Sequence, residues 1–361
     1  MVVSPPTALE DRPTAQTGSL RPVLSAIPPA AYHNPTWKGL GYFARDLLIY
    51  AACVVALVHW ANPLIVVPLW VVAALVVSGL FVVGHDAAHQ SLFKHRWLND
   101  TVGRVAMLPS WHVYTAWIFG HNRVHHGFTG RQGYDFVWHP VTPAQYAAMS
   151  APARLRHRVE WSFAGAGAYY AREVWWNKMI LWRAPAKSAP SVNRDRLLVG
   201  GFVAVSTAAL CWYGFAHGAS VAGAVWLVAR VLVVPFLAFT FVIGSVVHVH
   251  HIDPEIRWLR GEDWTKFGAQ MEGTTVLRAG RVFNFFLHWI MVHTPHHVDM
   301  RVPMYNLEKA AAAIEDAFPG TVVDRPLRFR DFIANSRQCK LYDFDAGRWL
   351  TYRDALRLSS A

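Results

Sequence analysis

Apolar residues in this chain gather into two long blocks. The first covers residues 43–84, about twice the ~20 residues that one membrane crossing needs. Asn62-Pro63 interrupts it, and that pair favours a turn. The block therefore predicts two helices, near 46–61 and 64–83. The second block repeats the form: residues 197–215 are apolar, Gly218-Ala219-Ser220 breaks the run, and 223–247 are apolar again. Neither break contains Lys or Arg. Positive loops mark the cytoplasmic side of a membrane, so both tips are expected outside and the other helix ends inside. The pattern predicts an all-α integral membrane protein with four transmembrane helices in two hairpins, 46–83 and 197–247. Arg230 falls inside the fourth span. A charge there is a functional candidate by default, though a structural pairing is the favoured reading.

The remaining stretches differ in character. Lys and Arg recur through 84–196, and the apolar runs 102–108 and 113–119, parted by Pro109, are too short to span. They read as segments half-buried along the interface. Residues 140–195 mix Trp, Tyr and Arg, as in Trp175-Trp176 and Trp182-Arg183, and suggest a membrane-hugging helical cap. Residues 252–361 look soluble, with an amphipathic helix over 307–317. The first forty residues are rich in Pro, Ala, Ser and Thr and show no apolar core of a cleavable signal peptide. The expected division is a loosely ordered cytoplasmic tail over 1–42, a functional domain over 43–317 and a cytoplasmic tail over 318–361.

Composition agrees. Of 361 residues, 53% are hydrophobic and 16% charged, against about 25% charged in soluble domains. The 17 Trp suit a chain with two bilayer–water boundaries. The net charge of +11 comes from Lys and Arg scattered between apolar spans, which argues against nucleic acid and suits positive cytoplasmic loops. A basic face also suits an acidic redox partner. Cys53, Cys211 and Cys339 form no CxxC pair, so neither a disulfide framework nor a zinc knuckle is available.

Histidine supplies the chemistry. His85-Asp-Ala-Ala-His89, His121-Asn-Arg-Val-His125-His126 and His293-Thr-Pro-His296-His297 each lie beside an apolar stretch. On a helix, spacings of three and four place the rings on one face. The fourth span ends in His248-Val-His250-His251, on the same side. Two hairpins would bring all these clusters to one membrane face. A structural zinc takes four ligands, and eight or nine His suit two metal ions instead. Imidazole ligation fits iron, zinc, copper or nickel. No ExxH motif occurs, which excludes the soluble di-iron carboxylate class. A nitrogen-rich metal pair at a membrane points to oxygen activation. Because the ligands must be neutral, metal loading is expected to fall below about pH 6.5.

Longer motifs make the comparison specific. The first box is followed by Trp97-Leu-Asn-Asp-Thr-Val-Gly103, and the second continues Gly127-Phe-Thr-Gly130. The third is preceded by Gly273-Thr-Thr-Val-Leu-Arg278 and followed by Pro303-Met-Tyr305-Asn-Leu307. Together these resemble the membrane fatty acid desaturases, most of all the Δ12 (omega-6) acyl-lipid group, over residues 43–317. Much of that family has HxxHH at the second box, where this chain has the HxxxHH variant.

The resemblance implies four membrane helices and a cytoplasmic cap over two iron ions. The implied ligands are His85, His89, His121, His125, His126, His293, His296 and His297, with a ninth from the end of the fourth helix. His248 and His251 compete for that place. His251-Ile-Asp-Pro254 resembles a His-x-x-Pro motif of the Δ12 group and favours His251, leaving His250 structural. Asp86, Asn99 and Asp135 are the candidates to accept the outer N–H of a ligand, and His288 is a further neighbour. His95, His112, His139 and His157 lack box spacing and are read as non-ligands. The implied reaction removes two hydrogens from adjacent CH2 groups of an acyl lipid or acyl thioester, using O2. Trp111 and Trp117 are candidates to line the acyl tunnel. The chain has no HPGG haem stretch and no Gly-rich dinucleotide fingerprint. Electrons are therefore expected from an external donor, a ferredoxin or a cytochrome of the b5 kind. A lipid or carotenoid hydroxylase or ketolase keeps the same site with a different product. A haem or zinc membrane protein is the alternative from another class, and it predicts ligands near mid-membrane.

Overall fold

The structure is a computed structural model and describes residues 18–358. It is mostly helical. Among the described residues four helices are long and apolar enough to cross a membrane: Thr36–His59, Pro63–Ala88, Ala189–Ala216 and Val221–His251. The predicted break at Asn62-Pro63 is a capped helix start. The Asn62 side chain accepts the Leu64 N–H at 3.0 Å, and Pro63 occupies a first-turn position where a missing N–H costs nothing. Ser220 starts the fourth helix likewise, its hydroxyl accepting the Gly223 N–H at 3.2 Å.

The four helices are not equivalent. The second and fourth are 56% buried along their most apolar stretch, against 17% for the first and third. The second packs on both the first and the fourth, and the third packs on the fourth. The inner pair therefore forms the centre, with the others outside. Leu48, Leu64, Leu197 and Trp212 stand exposed on the outer surface. Apolar surface of that extent needs a lipid environment, which makes this an integral membrane protein.

Arg230 lies in a π-helical turn, Ala229–Val233, of the fourth helix. Its guanidinium donates to the Val58 carbonyl at 3.2 Å, and its own carbonyl accepts the Trp70 indole N–H at 2.9 Å. Val58 belongs to the last turn of the first helix, whose final carbonyls lack intrahelical partners. Arg230 thus caps a helix end, the structural role the sequence favoured.

Three expectations differ from the structure. The segment assigned to a tail over 1–42 is ordered from residue 18 onward. Leu20, Val23, Ile27 and Ala31 are buried in the same core as Leu80 and Val83 of the second helix. Their three- and four-residue spacing makes an apolar stripe that the surrounding Pro and Ala obscured. Residues 1–17 of that assignment lie outside the described part. Nor do residues 318–358 of the second assigned tail form one, and 359–361 lie outside the described part. Strand β1 (Thr275–Arg278) pairs in parallel with β2 (Val323–Pro326), and β3 (Leu341–Asp343) pairs antiparallel with β4 (Arg348–Leu350). Between them helix Phe329–Gln338 buries Phe332. Finally, those strands mean the fold is not purely α. Each has three or four residues, too few for an alternating pattern to stand out. The helix predicted over 307–317 is present as Leu307–Ala317.

Close approach fixes how the second helix sits. A Cβ on Gly79 would lie 2.5 Å from the Phe286 carbonyl oxygen and 2.9 Å from Asp46 Oδ2. Gly79→Ala is expected to destabilise the protein by about 1–3 kcal/mol through overpacking. Thermal unfolding in detergent checks this, and an unchanged midpoint would contradict the contact.

Candidate metal centre

The boxes ride on different elements that end at one place. His85 is in the last turn of the second long helix, and His89 caps its end. His251 is the last residue of the fourth. His121 and His125 lie on a π-helical stretch, Ile118–His125, with His126 next. His293, His296 and His297 share the short helix His293–Val298.

The nine predicted histidines form two buried groups that could each hold a metal ion. His85, His89, His121, His126 and His296 make one; His125, His251, His293 and His297 make the other. Within each, the available ring nitrogens lie within 4.8 Å of one another. His85 Nε2 is 2.8 Å from His121 Nε2, and His126 Nε2 is 3.1 Å from the same atom. His293 and His297 approach Nε2 to Nε2 at 3.0 Å. The groups adjoin where His126 stacks on His297, centroids 4.2 Å apart.

The π-helix explains how HxxxHH works. Its wide turn bonds residues five apart, and the His126 N–H indeed bonds the His121 carbonyl. His121 and His126 therefore share a face and a group. His125 is turned away into the second group.

Outer partners fix the ring orientations. His125 Nδ1 meets the Asp135 carboxylate at 3.0 and 3.2 Å, and Asp135 also accepts the Gly130 and Val137 N–H groups. This is the role expected of Asp135. Asp86 Oδ1 is 3.4 Å from His85 Nδ1, while its Oδ2 accepts the Met304 N–H at 2.6 Å. Asp86 thus ties the first box to the segment after the third. Asn99 differs from its expected role. It bonds the backbone of Phe93 and His95 and holds the loop after the first box.

Two partners escaped the sequence. His297 Nδ1 lies 2.9 Å from Gln270 Oε1, and His251 Nδ1 lies 3.2 Å from the Gly273 carbonyl. Gly273 opens the motif quoted above, but nothing in its spacing pointed to His251.

The other histidines separate clearly. His248 packs between Trp138 and Phe332, so of the two competitors only His251 joins a group. His250 stacks on His293 at 3.8 Å. His288 pairs with Asp46 at 2.5 Å rather than with a box residue. His112 bonds Tyr170, His157 bonds Tyr352, and His95 and His139 are exposed.

This donor set fits a pair of metal ions. The buried Nε2 atoms of His251 and His296 have no hydrogen-bond partner. Unpaired buried polar atoms are costly, and a bound cation satisfies them. Burial, then the neighbouring imidazoles, hold His89, His121, His126, His293, His296 and His297 well below the usual 6.5. Burial thus favours the neutral form that a metal ligand requires.

An apolar cavity adjoins both groups. Phe81, Trp117, Tyr170, Val174 and Ile243 line it, and His85, His121, His125, His251 and His293 face it. Trp117 is on its wall as expected. Trp111 is not; it stacks on Phe236 at 4.1 Å.

Two predictions follow from this geometry. Asp135→Asn removes the carboxylate behind His125 and is expected to weaken metal binding by 10–100-fold, read by metal titration of the purified protein. Burial also lowers His112 and His157 to about 4, so the unfolded chain binds protons there before the folded one does. Stability is then expected to fall as pH drops from about 6.5 towards 4, by roughly 1 kcal/mol per pH unit per group. Denaturation in detergent at pH 7.5 and 5.5 checks the sign, and greater stability at 5.5 would refute it.

Comparison with known proteins agrees with these features. The chain matches the fatty acid desaturase family over residues 61–326. It is 31% identical to the sn-1 acyl-lipid omega-3 desaturase (ferredoxin) of a Nostoc species, over 82% of this chain and 80% of the relative. It is 27% identical to the sn-1 oleoyl-lipid 12-desaturase of a Picosynechococcus species, over 93% of each. It is 28% identical to the chloroplastic omega-6 fatty acid desaturase of Arabidopsis thaliana, over 85% of this chain and 65% of the relative. With nine buried histidines in two groups beside an apolar cavity, the chain belongs to the fatty acid desaturase family.

Proposed function

We propose that this protein is an O2-dependent acyl-lipid desaturase that places a cis double bond in a membrane acyl chain, with Δ12-like regiospecificity. The observation that carries the reading is the juxtaposition of two all-histidine groups with an apolar cavity at the ends of the inner helices. The metal pair is iron, held by His85, His89, His121, His126 and His296 on one side and by His125, His251, His293 and His297 on the other. Two irons bound there supply the O2-derived oxidizing power that an unactivated C–H bond requires.

The rest is the work of the protein's own residues. Phe81, Trp117, Tyr170 and Ile243 offer the acyl chain an apolar wall and exclude water, which holds the reacting methylenes at the histidines. Asp135, Gln270 and the Gly273 carbonyl fix three of the rings. No side chain need act as a general base. The first and second helices form one hairpin and the third and fourth another, with both tips outside and the cap and site on the cytoplasmic face of the inner membrane. Residues 43–317 carry the reaction. The names of the relatives favour a glycerolipid-bound acyl chain over a thioester, and a ferredoxin over a cytochrome b5-like donor.

A hydroxylase or ketolase would use the same site, and product mass separates them. The purified protein, supplied with O2, a reduced ferredoxin and an oleoyl glycerolipid, is expected to contain two irons and yield a product lighter by two hydrogens. A product heavier by one oxygen would refute desaturation while leaving the metal assignment intact. His125→Ala and His296→Ala are each expected to abolish turnover and lower iron content while the protein stays in the membrane. Normal turnover in either variant removes that residue from the ligand set.

A further inference from the structure

The first long helix starts beside an open pocket of about 280 Å³, lined by His33, Pro35, Trp37, Lys38, Asn306 and Lys309. Three segments meet there: the stretch before the helix, the first turn of Thr36–His59, and the start of Leu307–Ala317. Asn306 joins two of them, its amide donating to the Ala31 and His33 carbonyls at 3.1 and 3.0 Å. The pocket shares no lining residue with the apolar cavity beside the histidine groups.

Helix length sets the depth of this pocket. About 20 residues cross the hydrocarbon, and the helix has 24, with His59 at its far end. Its first turn, residues 36–39, therefore stands at headgroup level. Trp37 is 75% exposed there, as an indole at a bilayer boundary would be. Leu40, Ala44, Leu47 and Leu48 are exposed after it at helical spacing, so an apolar stripe runs from the pocket along the lipid-facing side.

The charge in the pocket is of one sign. Lys38 holds its ammonium 4.1 Å from the centre of the Tyr305 ring, and the charged group that bears on it is a second cation, Lys309. No Asp or Glu is among the lining residues. The carboxylates of the surrounding elements are directed elsewhere. Asp299 binds Arg301 and Tyr32, and Glu308 bears on Arg278. Asp316 lies seven residues beyond Lys309, about 10 Å further along its helix. The first helix adds its own positive end, with no acid in the first turn and no side-chain cap. Two ammonium groups facing one space with no acid between them favour an anion in it.

We propose that this pocket binds the phosphate of an anionic glycerophospholipid from the adjoining leaflet, as a resident lipid distinct from the substrate. Lys38, Lys309 and His33 hold the phosphate oxygens, and the acyl chains follow the stripe from Trp37 past Leu40 to Leu48. The bound lipid clamps the stretch before the first helix to the helix that follows the third box. Met304, three residues before that helix, bonds Asp86 beside His85, so the clamp bears on the segment that steadies the metal centre. Basic groups at a membrane surface attract anionic lipids generally, and the pocket gives that attraction a defined seat.

The test uses the full-length, metal-loaded protein in an uncharged detergent, with thermal unfolding as the readout. Short-chain phosphatidylglycerol is expected to raise the midpoint by about 2–4 °C, and short-chain phosphatidylcholine or inorganic phosphate by less than half as much. Lys38→Gln/Lys309→Gln is expected to lose most of the shift. Arg154→Gln/Arg156→Gln removes the same charge from another surface and is expected to keep it. Should the double lysine variant not fold, Lys309→Gln alone, an exposed change, is expected to reduce the shift and Lys309→Arg to restore it. An equal loss in the lysine and arginine variants would mean attraction to the basic chain as a whole and would overturn the site. No shift with phosphatidylglycerol would also overturn it. A full shift with inorganic phosphate or phosphatidylcholine would overturn the anionic lipid as the occupant.

Discussion

Nine imidazoles packed together out of water form an arrangement that resists protonation and lacks enough partners of its own. Desolvation disfavours every charged ring, and each ring disfavours charge on the next. The group is held together by the architecture around it. The inner helices deliver His85, His89 and His251, and elements outside the four long helices deliver the others. The close pass of Gly79 on the second helix and the bridge between Val276 and Val292, next to His293, bear on where those rings meet.

The inner pair also relates the membrane to the chemistry. Phe81 lies one turn before His85 on the second helix, and Ile243 lies two turns before His251 on the fourth. The same two helices therefore bury lipid-like surface along their length and present nitrogen donors at their ends. The cavity wall and the nitrogen donors therefore share helices, and an apolar group held in the cavity lies beside the donor set.

Much of this was legible in the chain. Span length, turn chemistry and His spacing are local signals, and they placed all four long helices and eight of the nine grouped histidines; His251 was preferred to His248 only through the resemblance of His251-Ile-Asp-Pro254 to a family motif. What escaped depends on tertiary approach. Gln270 touches His297 across 27 positions of sequence, and Gly273 contributes only a carbonyl that any residue could offer. Asn99 looked like a polar partner for a ligand, but its amide is occupied by the backbone of a neighbouring loop. Leu20, Val23 and Ile27 were hidden by a Pro- and Ala-rich background, and the short strands near the C-terminus were too brief to show a period.

The winding of the second box matters for comparing such proteins. Because a wide turn seats His121 and His126 together, one additional residue between the first imidazole and the final pair leaves the donor atoms in place. Counted from His121, the His125 and His126 positions therefore fall in different groups. Which group a ring joins is set by the pitch of the helix that carries it: five residues in a wide turn do here what four do in an ordinary α-helix.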